Sequence, residues 1–172
     1  MVSRERESGA LEDLGAEAQA LLSEARHGVL ATISRDQGYP YASVVDVAGL
    51  PDGDLLLLLS DLAEHTQNLR VDSRVSIVIA ATEGDGEVLE RGRASFQGRV
   101  EVARQEELVV FKTHYLRAHP QARGYVTFAD FNFFRLRVER VRFIAGFGRM
   151  GWIEEELWRQ CFNPDTSKGD TA

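Results

Sequence analysis

A chain of 172 residues with a formal net charge of −7 at pH 7 has room for one domain with a real core and little room for two, and its acidity excludes a general nucleic-acid binder, whose footprint is a basic surface. Cys161 is the only cysteine, which excludes intramolecular disulfides and thiolate zinc sites and points to a reducing compartment. The charged start Arg4-Glu5-Arg6-Glu7 lacks the apolar run of a secretory signal and no stretch reaches membrane-spanning length, so a cytoplasmic protein without membrane partners is expected.

Residues 1–9 read as a disordered, polar N-terminus. Across 10–26, Leu11, Leu14, Ala18, Leu21, Leu22 and Ala25 recur three or four apart and predict one apolar helical face. Gly28 ends that helix, and 29–34 has strand composition. Asp36-Gln37-Gly38 is a turn signal. Pro40 opens a second strand over 41–47, with Tyr41, Ser43 and Val45 on one face and Ala42, Val44 and Asp46 on the other. Pro51-Asp52-Gly53-Asp54 is a turn that predicts a hairpin between this strand and the next. That next strand is Leu55-Leu56-Leu57-Leu58-Leu59, too short for a membrane and suited to burial on both faces. Polarity changes at Ser60. Leu62 and Leu69 then take helical spacing, Asp61 is the expected N-cap, and Glu64 completes something close to a capping box.

Residues 74–81 alternate as another strand, and Glu83-Gly84-Asp85-Gly86 is an acidic loop. The stretch 88–102 is long for one strand, and its interior Gly92 and Gly98 predict bends or bulges. A helix over 105–118 stops at His119-Pro120, with one more turn within 122–128. Residues 131–147 hold two strands' worth of alternation around a connection or bulge at Val138-Glu139-Arg140. The glycine–aromatic segment 146–152, a short helix over 154–158 and a polar tail over 161–172 complete the chain. About six or seven strands in meander order, with helices inserted singly, predict a mainly β (α+β) antiparallel barrel with peripheral helices, one domain over 10–160.

The four histidines (His27, His65, His114, His119) are scattered without zinc spacing, so no metal site is expected. No Gly-x-Ser-x-Gly elbow, Walker loop or dinucleotide fingerprint occurs. What remains is distributed. Tyr41 and Ser43 lie on one strand, Ser60 ends the next, and His65, Thr66 and Asn68 begin the following helix. Hydroxyls, an imidazole and helix N–H groups can grip a phosphate while the leucine strand walls a flat ring. Asp61 and Glu64 oppose a bound dianion unless they point away. The same stretch also reads as a core strand followed by a capped helix.

Four segments carry a family resemblance: Gly38-Tyr39-Pro40-Tyr41-Ala42-Ser43, the run from Leu58 through Ser60-Asp61-Leu62-Ala63-Glu64-His65-Thr66-Gln67-Asn68-Leu69, Asp72-Ser73-Arg74-Val75-Ser76, and Gly146-Phe147-Gly148-Arg149-Met150-Gly151-Trp152. Together they resemble the pyridoxamine 5′-phosphate oxidase-related family over residues 20–153, and more narrowly its haem iron utilisation branch. The resemblance implies a split antiparallel β-barrel of the FMN-binding type, holding flavin mononucleotide (FMN) at a homodimer interface. It implies Tyr41, Ala42, Ser43, Leu59, Ser60, His65, Thr66 and Asn68 as flavin contacts. His65 and Thr66 stand where vitamin B6 oxidases of the family place a basic pair, so oxidation of vitamin B6 itself is not expected. Haem-degrading members draw an iron-ligating histidine from a C-terminal region, whereas no histidine follows His119 here. The leading expectation is an FMN-dependent oxidoreductase acting on a small-molecule substrate, with no assigned catalytic residue. The alternatives are a haem-binding or haem-degrading protein of the same fold and a non-catalytic ligand-binding barrel.

Overall fold

The structure is a computed structural model that describes residues 2–81, 87, 90–146 and 148–163, with side chains from residue 9 onward. The acidic loop at 83–86, the start of the long strand at Val88, Phe147 and the tail beyond Asn163 lie outside the described residues. Helix α1 (Val2–Glu24) reaches back well before residue 10, so the backbone from Val2 is helical where disorder was expected. Its apolar face is the expected one, with Leu14, Ala18 and Leu22 buried.

Among the described residues, eight antiparallel strands follow: β1 (His27–Ile33), β2 (Pro40–Asp46), β3 (Ala48–Gly49), β4 (Leu55–Ser60), β5 (Arg74–Ala80), β6 (Arg93–Val102), β7 (Phe131–Ile144) and β8 (Met150–Glu154). Helix α2 (Glu64–Val71) joins β4 to β5, and α3 (Leu108–Ala118) with a 3-10 turn (Pro120–Gly124) joins β6 to β7. Helix α4 (Glu155–Gln160) follows β8. The sheet order is β2-β1-β5-β6-β7-β4-β3, with β8 on β7. The two ends of that order, β2 and β3, are separated in the chain by Val47 alone, so one continuous segment links both edges and the sheet curls into a split barrel. Among the described residues no helix is long and apolar enough to cross a membrane.

The leucine strand is buried on both faces, all five side chains being 0–6% exposed. Leu55, Leu57 and Leu59 enter the main core with Leu22, Phe96 and Trp158, while Leu56 and Leu58 enter a second core with Phe111, Tyr115 and Phe133. This two-sided burial decides its pairing. The expected hairpin with β2 does not form: β2 spends its ladder on β1, from His27↔Asp46 to Ile33↔Pro40. Strand β4 meets only the short β3 on that side and takes β7 as its long partner, from Leu55↔Leu136 to Ser60↔Phe131. Strand β7 is likewise apolar on both faces there, with Phe134 and Leu136 in one core and Phe133 in the other.

Residues 131–144 form one bent strand instead of two. Gln97 pairs with Arg140 but Gly98 with Val138, which leaves Glu139 as the extra residue of a β-bulge. A Cβ at Gly98 would lie 1.8 Å from the carbonyl oxygen of Arg137, so the close approach requires glycine.

Candidate functional site

The absent β2–β4 pairing leaves an opening, and the opening is the cleft. Its cavity of about 380 Å³ is lined by Val44, Val45 and Asp46 of β2, Leu58, Leu59 and Ser60 of β4, Ala63 and His65 at the start of α2, and Tyr125 and Phe131 ahead of and within β7. That volume lies in the range of small-molecule pockets, about 300–1,000 Å³.

The turn into α2 is built differently from the expected cap. Ala63 holds the N-cap position without a side-chain bond. Asp61 is drawn aside, 2.7 Å from Arg70 and accepting a bond from the Asn132 amide at 3.0 Å. An ion pair with a partner on the last turn of the same helix outcompetes capping. Ser60 takes over: its hydroxyl accepts the Leu62 N–H at 3.1 Å and donates to Asp130 at 2.6 Å, tying the turn to the segment before β7.

His65 projects into the cleft from this turn. Its Nδ1 lies 3.0 Å from Ser43 Oγ on β2, sharing a hydrogen bond across the opening. Partial burial pushes its imidazole pKa below the ordinary histidine value. The unfolded chain therefore takes up this proton at a higher pH than the folded one, and acidification through about pH 6.5 favours unfolding. The urea midpoint of the wild type is expected to fall more steeply between pH 7.5 and 5.5 than that of His65→Gln; parallel slopes would contradict the shift.

At the other end of the cleft sits Asp46. His27 Nδ1 is 3.0 Å from one carboxylate oxygen, and the Tyr125 hydroxyl is 3.5 Å from the other. Among the described residues, the lining contains no lysine or arginine. Arg35, beside α2, is engaged with Glu64 at 3.7 Å and with Gln67. Among the described residues, no group of three or more His, Cys, Asp or Glu side chains is placed to hold a metal ion.

Of the eight residues expected to contact a ligand, Leu59, Ser60 and His65 line the cleft and Ser43 holds the His65 ring. Tyr41 and Ala42 are exposed on β2 away from the lining. Thr66 and Asn68 are fully buried on the inner face of α2, and neither is among the residues lining the cleft. Asn68 is occupied there, accepting the Arg35 N–H at 3.0 Å and donating to Thr32 at 3.1 Å. Sequence reasoning missed Asp46, Tyr125 and Phe131 as lining residues. Tyr125 and Phe131 reach the cleft because β7 pairs with β4, a pairing no local pattern announces.

Comparison with known proteins places the chain among split barrels. The family model described as CREG, beta-barrel matches residues 10–160. The chain is 33% identical over 131 residues to the non-canonical heme oxygenase HOZ, chloroplastic, of Arabidopsis thaliana, covering 76% of this chain and 40% of that protein. Among solved structures, a heme binding protein from Mycobacterium smegmatis matches with a TM-score of 0.80 at 35% identity, covering 85% of this chain and 60% of that one. A Clostridium acetobutylicum protein related to general stress protein 26, of the pyridoxinephosphate oxidase family, matches with a TM-score of 0.67 at 11% identity, covering 85% of this chain and 98% of that one. The last likeness shows the fold alone. The chain spans about two-fifths of the length of HOZ and three-fifths of that of the Mycobacterium protein.

Proposed function

Given that the chain belongs to the CREG beta-barrel family, we propose that its cleft binds haem, and that FMN, the leading expectation from sequence, is not its preferred ligand. The observation that carries this reading is the chemistry of the lining: Leu58, Leu59, Val44, Val45 and Phe131 as apolar walls, one imidazole, and Asp46 as the one side chain with a fixed charge. A phosphate dianion is best met by arginine or lysine donors, and among the described residues the lining supplies none while placing a carboxylate there. A largely apolar slot with an imidazole suits a tetrapyrrole. Two relatives named for haem support the same choice.

Beside the cleft, Val44 of its lining also stands on the outer face of the sheet. That face is uncovered. Val44 pairs with Val29 and Val29 with Val78, forming an apolar row on which the three side chains are 75, 42 and 40% exposed. The row continues through Ser95 and Arg142 to Trp152, where Arg142 and Arg140 lie over the indole, Arg140 at 4.5 Å from the ring centre. We read it as the surface on which two copies meet over the ligand, consistent with the significance of exposed apolar patches.

The test is a parallel titration of the purified full chain with haemin and with FMN, followed by visible absorption and by light scattering after gel filtration. Expected are a saturable Soret band, haem affinity at least about tenfold above that for FMN, a gap of roughly 1.4 kcal/mol, and an eluting mass twice that of the chain. Retained flavin with no haem saturation would reverse the reading.

A further inference from the structure

We infer that His65, through Nε2, is the iron ligand this cleft offers, with Ser43 as the residue that positions it; the inference rests on the haem reading above.

The four histidines separate by what their nitrogens already do. His114 donates from Nε2 to the Gly49 carbonyl at 2.6 Å, and His119, almost wholly buried, from Nε2 to the Val47 carbonyl at 2.9 Å. Both rings are committed to the β2–β3 link. His27 is held by Asp46 through Nδ1, but its ring is mostly exposed and lines a different cavity, beside Arg26 at the end of α1. His65 alone among them lines the cleft. Its Nδ1 is anchored on Ser43, so Nε2 is the nitrogen left for a ligand.

The anchor also fixes which way the proton must lie. For Nε2 to present a lone pair, Nδ1 must carry the hydrogen and donate it to Ser43 Oγ. That is the arrangement in which a partner on the second nitrogen orients a metal-bound histidine. A phosphate at the same place would demand the reverse: Nε2–H donating to the anion and Nδ1 accepting from the serine hydroxyl. One hydrogen bond thus serves two ligands with opposite proton order. Among the described residues, the lining holds no other nitrogen or sulfur ligand.

Resonance Raman of the ferrous haem complex, with absorption and EPR of the ferric form, tests this. The wild type is expected to show an iron–histidine stretch. His65→Ala should lose that stretch, and added imidazole should restore histidine-type spectra. Ser43→Ala should keep the stretch but move it to lower frequency and weaken haem binding about 10-fold or more, as second-nitrogen partners do. His114→Gln, outside the cleft lining, should leave the spectra as in the wild type, and circular dichroism melts check that each variant is folded. Haem bound by the wild type without an iron–histidine stretch, or a stretch retained in folded His65→Ala, overturns the ligand assignment while leaving the haem reading standing. A wild type that binds no haem overturns both.

Discussion

Asp54→Ala is expected to destabilise the protein by about 3–5 kcal/mol, the range for removing one partner of a buried ion pair. Asp54 is 0% exposed and collects four donors. Arg159 at 2.6 Å and the Val138 N–H at 3.0 Å reach one carboxylate oxygen; Arg135 at 2.7 Å and Arg137 at 3.5 Å reach the other. Together they tie the β3–β4 turn to β7 and α4. Removing the carboxylate leaves guanidinium groups in a poorly hydrated site and orphans a buried N–H. For a chain of this size each kcal/mol moves the melting temperature by about 2–4 °C, so a drop of roughly 6–20 °C is expected in a calorimetric scan. Asp52 is the internal control. It also pairs with Arg135, but its side chain is 46% exposed, and Asp52→Ala should cost about 1 kcal/mol or less. Equal melting temperatures for the two variants would show that burial of the Asp54 charge is not what matters.

Gly98→Ala is expected to exceed about 4 kcal/mol, the exceptional end of single substitutions, or to prevent folding. The added Cβ would meet the Arg137 carbonyl oxygen at 1.8 Å and its carbon at 2.9 Å. Both are backbone atoms of the paired strand, so no side chain can swing aside. Relief would need β6 and β7 to part at the bulge, and the segment of β7 that pairs with β4 lies directly beyond it. Gly92 provides the contrast: a Cβ there would touch only Phe143, at an ordinary 3.5 Å. Gly92→Ala should be neutral or stabilise by about 0.4–1 kcal/mol through the unfolded chain. Urea denaturation of the two variants side by side measures the difference, and similar midpoints would refute the clash.

Those two glycines show where local pattern stops. In sequence both are interior glycines of one strand-like stretch, and both predict a bend. Which of them is pressed against a neighbouring backbone depends on a register set from some forty residues away. Asp54 is a stronger case. It reads as the end of a Pro-Asp-Gly-Asp turn, which it is, yet its partners lie 81 to 105 residues further on. The strands with clear alternation or continuous apolar character, β1, β2, β4 and β5, were legible because each pattern is complete within one segment. The partner of β4 was not, since proximity in sequence favours β2 and only the demand for cover on both faces favours β7. The candidate site divides the same way. Ser43, Ser60 and His65 stand out as polar residues at the edges of apolar runs. Asp46, Tyr125 and Phe131 carry no such mark and come together only when the barrel closes. Asp61 misled because a good capping residue can be taken by a better ionic partner, here Arg70.

Among the described residues, backbone ladders join neighbouring strands from β2 round to β3, and none joins β2 to β4. Between β2 and the β4–α2 segment, the Ser43–His65 bond is the hydrogen bond that spans the gap among the described residues. A seam without a ladder parts at low cost, because opening it exposes side chains but breaks no run of amide bonds. Entry to the cleft therefore needs no dedicated lid: the empty wall itself is the door. An occupant gripped from both sides would act as a clasp, and its binding energy would pass directly into holding the barrel shut.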